Sequence, residues 1–324
     1  MCMRRENSPA TSRMFLIEPK SPPDPMPTLI EPCLAKPSAR VPVGPDWLYE
    51  IKWDGYRVLV YISPDGVRVM TRGGENWTVR FPGIVASAQA LGVETAILDG
   101  EAVILDDQGR SDFNRLQRAV GAHRFMVNST EIVMYAFDLL HLDGHDLRQR
   151  PLEDRKALLE RLLPEGHGSI RFSEAIEGDG MQFFEAARDL GLEGIVAKRR
   201  GGRYRSGRGG DWLKIKCLHR AHFYVIGYAV TVGGISKLLL GRKDVDGMTY
   251  VGSVGTGFTR QAAKELLRSL EAVKDADPLA KVRGKMVRLH LPLIIAEVDF
   301  SGWTAGGKLR HASFKSARVA DGED

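Results

Sequence analysis

Cysteine is scarce in this chain. The three that occur in 324 residues, Cys2, Cys33 and Cys217, form no Cys-x-x-Cys pair and have no histidine at metal-ligand spacing, which excludes a disulfide framework and a cysteine zinc site. No apolar run reaches the length of a membrane span, and the N-terminus lacks the apolar core of a signal peptide, so an intracellular protein with no membrane association is expected. Internal repeats are absent. Acid is nearly missing from one stretch: between Arg199 and Arg220 eight arginines and lysines accompany the single Asp211. Against a net charge of +5, that local imbalance reads as a surface for a polyanion rather than an ordinary solvated face. The remainder, 43% hydrophobic and 27% charged, suits a globular protein long enough for two domains, each with its own core.

Residues 1–26, with Pro22-Pro23-Asp24-Pro25 and little periodicity, read as an extension that is mobile unless it docks, and Met14 is an alternative start. Strand-like patterns follow from Trp47 to Trp53, Tyr56 to Ile62 and Val67 to Thr71, the last two joined by a Pro64-Asp65-Gly66 turn. Ala96 to Leu98 and Ala102 to Leu105 flank Asp99-Gly100-Glu101 as two further strands. Helices are predicted over Pro151 to Leu163, with proline in the first turn, and over Met181 to Leu190. A first domain over 27–219 gives way to a second over 220–324, where short strands (Phe223 to Val230, Lys237 to Arg242, Thr249 to Val254, Met286 to Leu289, Leu293 to Phe300) and a helix near Arg260 to Val273 fit a small closed barrel of oligonucleotide-binding (OB) type. The fold class is α+β.

The most informative stretch is Lys52-Trp53-Asp54-Gly55-Tyr56-Arg57. It sets an amine beside a carboxylate, a turn glycine and a guanidinium. Alone, it is equally an amphipathic strand ending in an Asp-Gly turn. A lysine attacks phosphorus only as the neutral amine, and surrounding cations favour that form. Lys214 and Lys216, two apart on one predicted strand, point to the same face and supply such cations. Glu193, at the start of another strand, is a hard oxygen donor suited to Mg²⁺.

Taken in order, Lys52 to Arg57, Asp99-Gly100-Glu101, Ala136-Phe137-Asp138, Glu193 to Lys198, Trp212 to Lys216 and Leu309 to Arg318 resemble the ATP-dependent DNA ligases of the covalent nucleotidyltransferase superfamily. The pattern is most like the ligase domain of the bacterial ligase D type and its stand-alone relatives, and it covers about Pro27 to Arg318. The resemblance implies an ATP-grasp-like nucleotidyltransferase domain of antiparallel sheets and helices followed by the OB-fold barrel, using ATP through a covalent AMP intermediate, and Mg²⁺. Lys52 would carry AMP, with Asp54, Lys214 and Lys216 in the catalytic machinery. Glu50 and Ile51 would line the adenine pocket, Phe137 would stack on adenine, and Lys198 would bind the nucleotide. Glu101 would take the ribose hydroxyls and, with Glu193, the metal, while Asp138 would orient the metal or Lys52. Arg57 would contact the ribose or the activated nucleotide. Arg72 would hold the 5′-phosphate of a nick, because its planar fork matches two phosphate oxygens. Arg203, Arg205 and Arg208, in the glycine-rich loop 201–210, would follow the duplex backbone without reading sequence.

Arg310, Lys315 and Arg318 resemble the family's last motif, which faces the β- and γ-phosphates. The segment departs from the pattern, with Ala312 where proline is common and Val319-Ala320-Asp321 in place of an Asp-Lys ending. The implied partners are nicked or broken duplex DNA and a Ku-type end-binding protein, with the chain itself a monomer in the bacterial cytoplasm, at the nucleoid. No second enzymatic domain or separate N-terminal DNA clamp is expected. The rival readings are an RNA ligase, a capping-type guanylyltransferase, which shares the first motif, and a non-catalytic nucleic-acid-binding protein.

Overall fold

The computed structural model describes residue 17 and residues 21–121, 131–164, 166, 168–231, 234–245, 247–272, 281–282, 285–286, 288–289, 293–304 and 306–320. Cys2 and Met14 lie outside the described residues. The chain divides into two compact units, Met1–Ile215 and Lys216–Asp324.

In the first unit, β1 (Lys36–Pro37) and β2 (Trp47–Ile51) precede a hairpin of β3 (Tyr56–Ser63) and β4 (Gly66–Thr71). Helix α1 (Pro82–Gln89), β5 (Ala96–Val103), α2 (Phe113–Gly121), β6 (Val133–Leu142) and β7 (His145–Asp146) follow, then α3 (Leu152–Leu162), β8 (Ile170–Phe172), α4 (Gly180–Asp189), β9 (Gly194–Arg199) and β10 (Trp212–Lys216). A six-stranded sheet has the order β4-β3-β5-β6-β7, with β8 alongside β6, and a four-stranded sheet has the order β1-β10-β9-β2.

The near-continuous apolar run of β3 reflects burial on both faces of the larger sheet. Val58, Val60 and Ile62 point to a core shared with Ile84 of α1 and Leu159 of α3. Leu59 and Tyr61 point the other way, to a second cluster with Ile97, Phe137 and Trp212. Trp212 belongs to the smaller sheet, so this second cluster is the seam between the two sheets. Helix α4 starts at Asp179, whose carboxylate accepts from the Met181 and Gln182 amides.

Two expectations are corrected here, and the docking allowed for the N-terminal extension is seen at its end. Asp99-Gly100-Glu101 is not a break between two strands, because β5 runs through it. Gly100 makes this possible: a Cβ there would lie 2.6 Å from the Tyr135 carbonyl oxygen and 3.0 Å from Ala136 Cα of the neighbouring strand. Helices α1 and α2 stand where the sequence reading had no element. Residues 21–26 are tied to the body, with the Asp24 amide donating to the Gly144 carbonyl (2.8 Å) and its carboxylate accepting from the Asp146 amide (3.0 Å).

The second unit opens with β11 (His219–Thr231), β12 (Gly234–Asp244) and β13 (Gly247–Val254), followed by α5 (Arg260–Ala272). Four two-residue or short segments come next, β14 (Lys281–Val282), β15 (Lys285–Met286), β16 (Arg288–Leu289) and the longer β17 (Ile294–Phe300), then β18 (Gly302–Trp303), β19 (Leu309–Arg310) and β20 (Ser313–Val319). Helix α5 places Ala263, Leu266 and Leu270 on one face, and the leucines join a core with Val225, Leu240 and Phe314. The closed barrel is also corrected. The main sheet is an open path, β13-β12-β11-β17-β20, and among the described residues no ladder joins β13 to β20. That gap is crossed by single bonds after β13, from the Phe314 amide to the Thr256 carbonyl (2.9 Å) and from the Thr256 hydroxyl to the Ala312 carbonyl (3.1 Å).

Because the added methyl would force β5 and β6 apart, Gly100→Ala is expected to destabilise the first unit by about 1–3 kcal/mol. Urea unfolding of the variant and the parent checks this.

Candidate active site

A cavity of about 630 Å³ opens in the first unit, and its lining includes Glu50, Ile51, Lys52, Arg57, Arg72, Glu101, Phe137, Lys198, Arg208 and Lys214. Ten residues singled out from the sequence therefore meet on one concavity, though they come from six strands and three loops. Two ladders explain how. Strand β2 pairs with β9 in the register Glu50↔Val196 and Ile51↔Ile195, and the Lys52 amide donates to the Gly194 carbonyl (2.9 Å). This register carries Lys52, just past β2, to Glu193, just before β9. In the larger sheet Arg57 of β3 lies opposite Glu101 of β5, and Asp99 is two residues away on the same face.

Gly55 is needed where it stands: a Cβ there would lie 2.1 Å from the Ala102 carbonyl oxygen. The turn after Lys52 thus sits directly on β5.

The Lys52 ammonium donates to Glu193 Oε2 in a partly buried ion pair. The sequence pointed to cations beside this amine, and the structure adds a carboxylate in direct contact with it. Lys214 lines the same cavity, while Lys216, two residues further along β10 at the start of the second unit, is not among the lining residues. Asp54 does not line it either, and its amide donates to the Ser111 hydroxyl (3.3 Å).

The wall of the cavity is a set of paired charges and aromatic rings. Arg57 grips Asp99 with two bonds, Nε to Oδ1 at 2.5 Å and Nη2 to Oδ2 at 2.6 Å, and its guanidinium lies 4.3 Å from the centre of the Phe137 ring. Lys198 donates to Glu50 Oε2 (2.9 Å) and sits 4.4 Å from the Phe137 ring and 4.2 Å from that of Trp212. Burial, assisted by Lys156, pushes the Lys198 ammonium down to about 8, against the pull of Glu50. Lys156 of α3 makes the second ion pair to Glu50, at Oε1 (2.9 Å).

Asp138 is corrected: it does not face the cavity machinery. Both its oxygens accept from Arg155 (2.7 and 2.8 Å), and both side chains are fully buried, so this acid joins β6 to α3.

Glu101 is raised to about 7, first by burial and then by the neighbouring Glu193 and Asp99, while Arg57 and Lys52 act in the opposite direction. Glu101 and Glu193 are thus two carboxylates sharing one site. Among the described residues no cluster of three or more His, Cys, Asp or Glu forms a metal cage. A pair of carboxylates that leaves most of the coordination shell to phosphate and water fits Mg²⁺.

Outside the cavity, Arg203 and Arg205 are exposed on the loop between β9 and β10. Arg310, Lys315 and Arg318 belong to the second unit, where Lys315 pairs with Asp299 (3.1 Å), which also holds Arg220 (2.7 Å).

Sequence reasoning missed three cavity elements. Trp53 stacks on Tyr135 with ring centres 3.7 Å apart and bonds the Ser173 hydroxyl (3.1 Å), which steadies the Lys52 turn. Trp212 closes the aromatic wall edge-on to Phe137. Leu34 and Ala35 line the cavity from the N-terminal segment, where Ser38 donates to the Lys214 carbonyl (3.0 Å). Trp53 and Trp212, each inside one of the sequence motifs, carried a signal that could have flagged them, whereas Leu34 and Ala35 carried none.

Residues 28–216 match the family described as the ATP dependent DNA ligase domain, and residues 231–320 match the ATP dependent DNA ligase C terminal region. The chain is similar to the multifunctional non-homologous end joining protein LigD of Pseudomonas aeruginosa, 40% identical over 320 residues, covering 92% of this chain and 37% of that one. It thus spans little more than a third of that relative's length. Among solved structures, it is similar to the ligase domain of LigD from M. tuberculosis, with a TM-score of 0.55 at 34% identity over 89% of this chain and 94% of that one. A mycobacterial DNA ligase D complexed with ATP and MES matches with a TM-score of 0.52 at 33% identity and the same coverage of both chains.

Glu101 gives a pH signature. Its folded value of about 7 lies above the ordinary 4.5, so the folded protein retains a proton there that the unfolded chain has released. The stability of the nucleotide-free protein should therefore fall as pH rises from about 4.5 to about 7, by at most about 3 kcal/mol from this group. Glu101→Gln should flatten that part of the profile. Urea unfolding at pH 5 and pH 8 tests it, and an equal fall in the variant would assign the slope elsewhere.

Proposed function

The chain belongs to the ATP-dependent DNA ligase family, and from that premise we propose that it joins 5′-phosphate and 3′-hydroxyl ends in duplex DNA, with Lys52 as the residue that carries AMP. The observation that carries this reading is the convergence of Lys52, Glu101 and Lys214 on one cavity walled by Phe137 and Trp212, with Glu193 paired to the Lys52 ammonium.

In the first step the Lys52 ammonium gives up a proton, for which the paired Glu193 carboxylate is the acceptor in contact, and the neutral amine attacks the α-phosphorus of ATP as the bond to the bridging oxygen of pyrophosphate breaks. A phosphorus–nitrogen bond forms and pyrophosphate departs, so the energy of the nucleotide is stored on the protein. Lys214 stabilises the charge on the phosphoryl oxygens. Glu50, Ile51 and Phe137 hold the base, Lys198 the nucleotide, and Arg57 and Glu101 the sugar. Glu193 and Glu101 would hold Mg²⁺, which would supply neutralising charge to the phosphates. Arg310, Lys315 and Arg318 are assigned to the β- and γ-phosphates on their motif alone, and Lys216 and Asp54 to supporting roles on the same ground.

In the second step AMP passes to the 5′-phosphate of the broken strand, which Arg72 holds. In the third step the 3′-hydroxyl attacks that phosphate and AMP leaves. Arg203, Arg205 and Arg208 follow the duplex backbone, which makes binding salt-sensitive and indifferent to sequence. End joining is the proposed setting, supported by the names of the relatives, and a Ku-type end-binding partner is proposed on the resemblance alone.

Lys52→Ala is expected to abolish the covalent AMP adduct seen by mass spectrometry after exposure to ATP and Mg²⁺, and full adduct in that variant would refute the assignment. Arg72→Ala should form the adduct normally but seal a nicked duplex at least about tenfold more slowly, as loss of one bidentate phosphate contact implies. Labelling from GTP in place of ATP would favour a guanylyltransferase, and sealing of nicked RNA but not DNA an RNA ligase.

A further inference from the structure

The loop 201–210 was read from its exposed arginines, yet its one aromatic residue points inward. Tyr204, between Arg203 and Arg205, is 3% exposed and packs edge-on against Trp212, with ring centres 6.0 Å apart. Its hydroxyl donates to Asp99 Oδ2 (2.5 Å) and accepts from the Cys33 amide (3.0 Å). Asp99 in turn holds Arg57, and Arg57 Nη2 also donates to the Cys33 carbonyl (3.3 Å).

These contacts close a ring that runs from Tyr204 to Asp99, from Asp99 to Arg57, from Arg57 to Cys33, and from Cys33 back to Tyr204. The ring joins four separate parts of the first unit: the basic loop, β5, β3 and the N-terminal segment. It also fixes the guanidinium from behind. Nε and Nη2 are committed to Asp99 and Cys33, and among the described residues Nη1 takes no hydrogen bond, while Arg57 lines the cavity. The side chain therefore has one edge locked in protein and one edge left for a ligand.

We infer that Tyr204 is a positioning residue of the nucleotide site, which acts through Asp99 to fix the edge of Arg57 that meets the nucleotide, and so ties the DNA-facing loop to that site. The inference rests on the proposed ligase reading. A buried carboxylate with three donors has little freedom to rotate, and removing one donor leaves Asp99 gripped by Arg57 alone. The pair can then turn together, so the cost appears in nucleotide binding and not in the chemistry of Lys52.

The test compares ATP-dependent formation of the Lys52 adduct in the parent, Tyr204→Phe, Arg57→Lys and the double variant, with KM and kcat measured separately. Tyr204→Phe keeps the ring packing and removes only the hydroxyl. It should raise KM for ATP about tenfold, the scale of one charge-assisted hydrogen bond, with kcat changed by less than about twofold. In the Arg57→Lys background, where no fork remains to be held, the same change should add less than about twofold. An unchanged KM in Tyr204→Phe, or the full tenfold repeated in the Arg57→Lys background, overturns the inference. If Tyr204→Phe fails to fold, 3-fluorotyrosine at position 204 replaces it; this more acidic hydroxyl is a stronger donor and should lower KM, and an unchanged KM overturns the inference equally. Absence of any adduct in the parent protein sinks the ligase reading itself, whereas a normal parent with an unmoved KM in the variant sinks this inference alone.

Discussion

Buried charge that must be matched within the protein is the constraint on which the first unit depends. Around the cavity, Arg57 is matched by Asp99, Lys198 and Lys156 by Glu50, Lys52 by Glu193, and behind them Arg155 by Asp138. Each pair links elements far apart in sequence, so each is also a tertiary constraint. Stripping one partner from such a pair costs on the order of 3–5 kcal/mol because the other is left uncompensated. The sheets could be held by apolar packing alone. What the pairs add is the placement of cationic side chains along a cavity wall without the freedom of surface lysines.

The pairs fall into two classes. Arg155–Asp138 has no accessible surface and is absent from the lining of the Lys52 cavity, so its work is structural: it joins α3 to β6, and Arg155 Nη1 also donates to the carbonyls of Arg150 (2.6 Å) and Gly202 (3.0 Å). The Lys52–Glu193 pair is partly open, and under the proposed reading the two would separate, the lysine to meet phosphorus and the glutamate to meet a metal ion. Such a pair would hold the amine in a defined position until a polyanion and its counterion separate the two. Arg57–Asp99 lies between these classes, with one face sealed by Tyr204 and Cys33 and the other on the cavity.

Much of the site was legible because its residues sit on strands. Alternation puts Asp99 and Glu101, or Lys214 and Lys216, on a common face, and a linear motif then reports a spatial cluster. What was not legible is which acids serve the fold. Asp99 and Asp138 lie beside Glu101 and Phe137 and look equally catalytic in sequence, but each is saturated by an arginine whose partner choice depends on long-range packing. Tyr204 was hidden for the opposite reason: a loop rich in glycine and arginine reads as solvated, and only the fold reveals that one of its residues reaches the core. Helix α1 carries weak apolar periodicity of its own and is fixed by the sheet beneath it, as the burial of Ile84 shows, whereas α2 is amphipathic, with Leu116 and Val120 buried on one face, and its short pattern was overlooked. The barrel stayed open where the strand pattern alone suggested closure, because a strand count does not report whether the first and last strands share a ladder or only isolated bonds.

A sequence-independent DNA-joining enzyme must hold a long polyanion strongly enough to find a break and yet place one phosphate with sub-ångström care. These demands conflict if the same cations meet both, since mobile surface arginines bind well and position badly. Under the proposed ligase reading, the two tasks would fall in the first unit to neighbouring residues of different character. Arg203 and Arg205 are exposed and flexible in their reach, whereas Tyr204 between them is buried and bonded to Asp99. Alternation along one short loop therefore sets exposed cations on either side of an anchored residue, and the loop is held further by Gly202, whose carbonyl accepts from Arg155 (3.0 Å), and by Gly207, whose amide donates to the Pro32 carbonyl (3.1 Å).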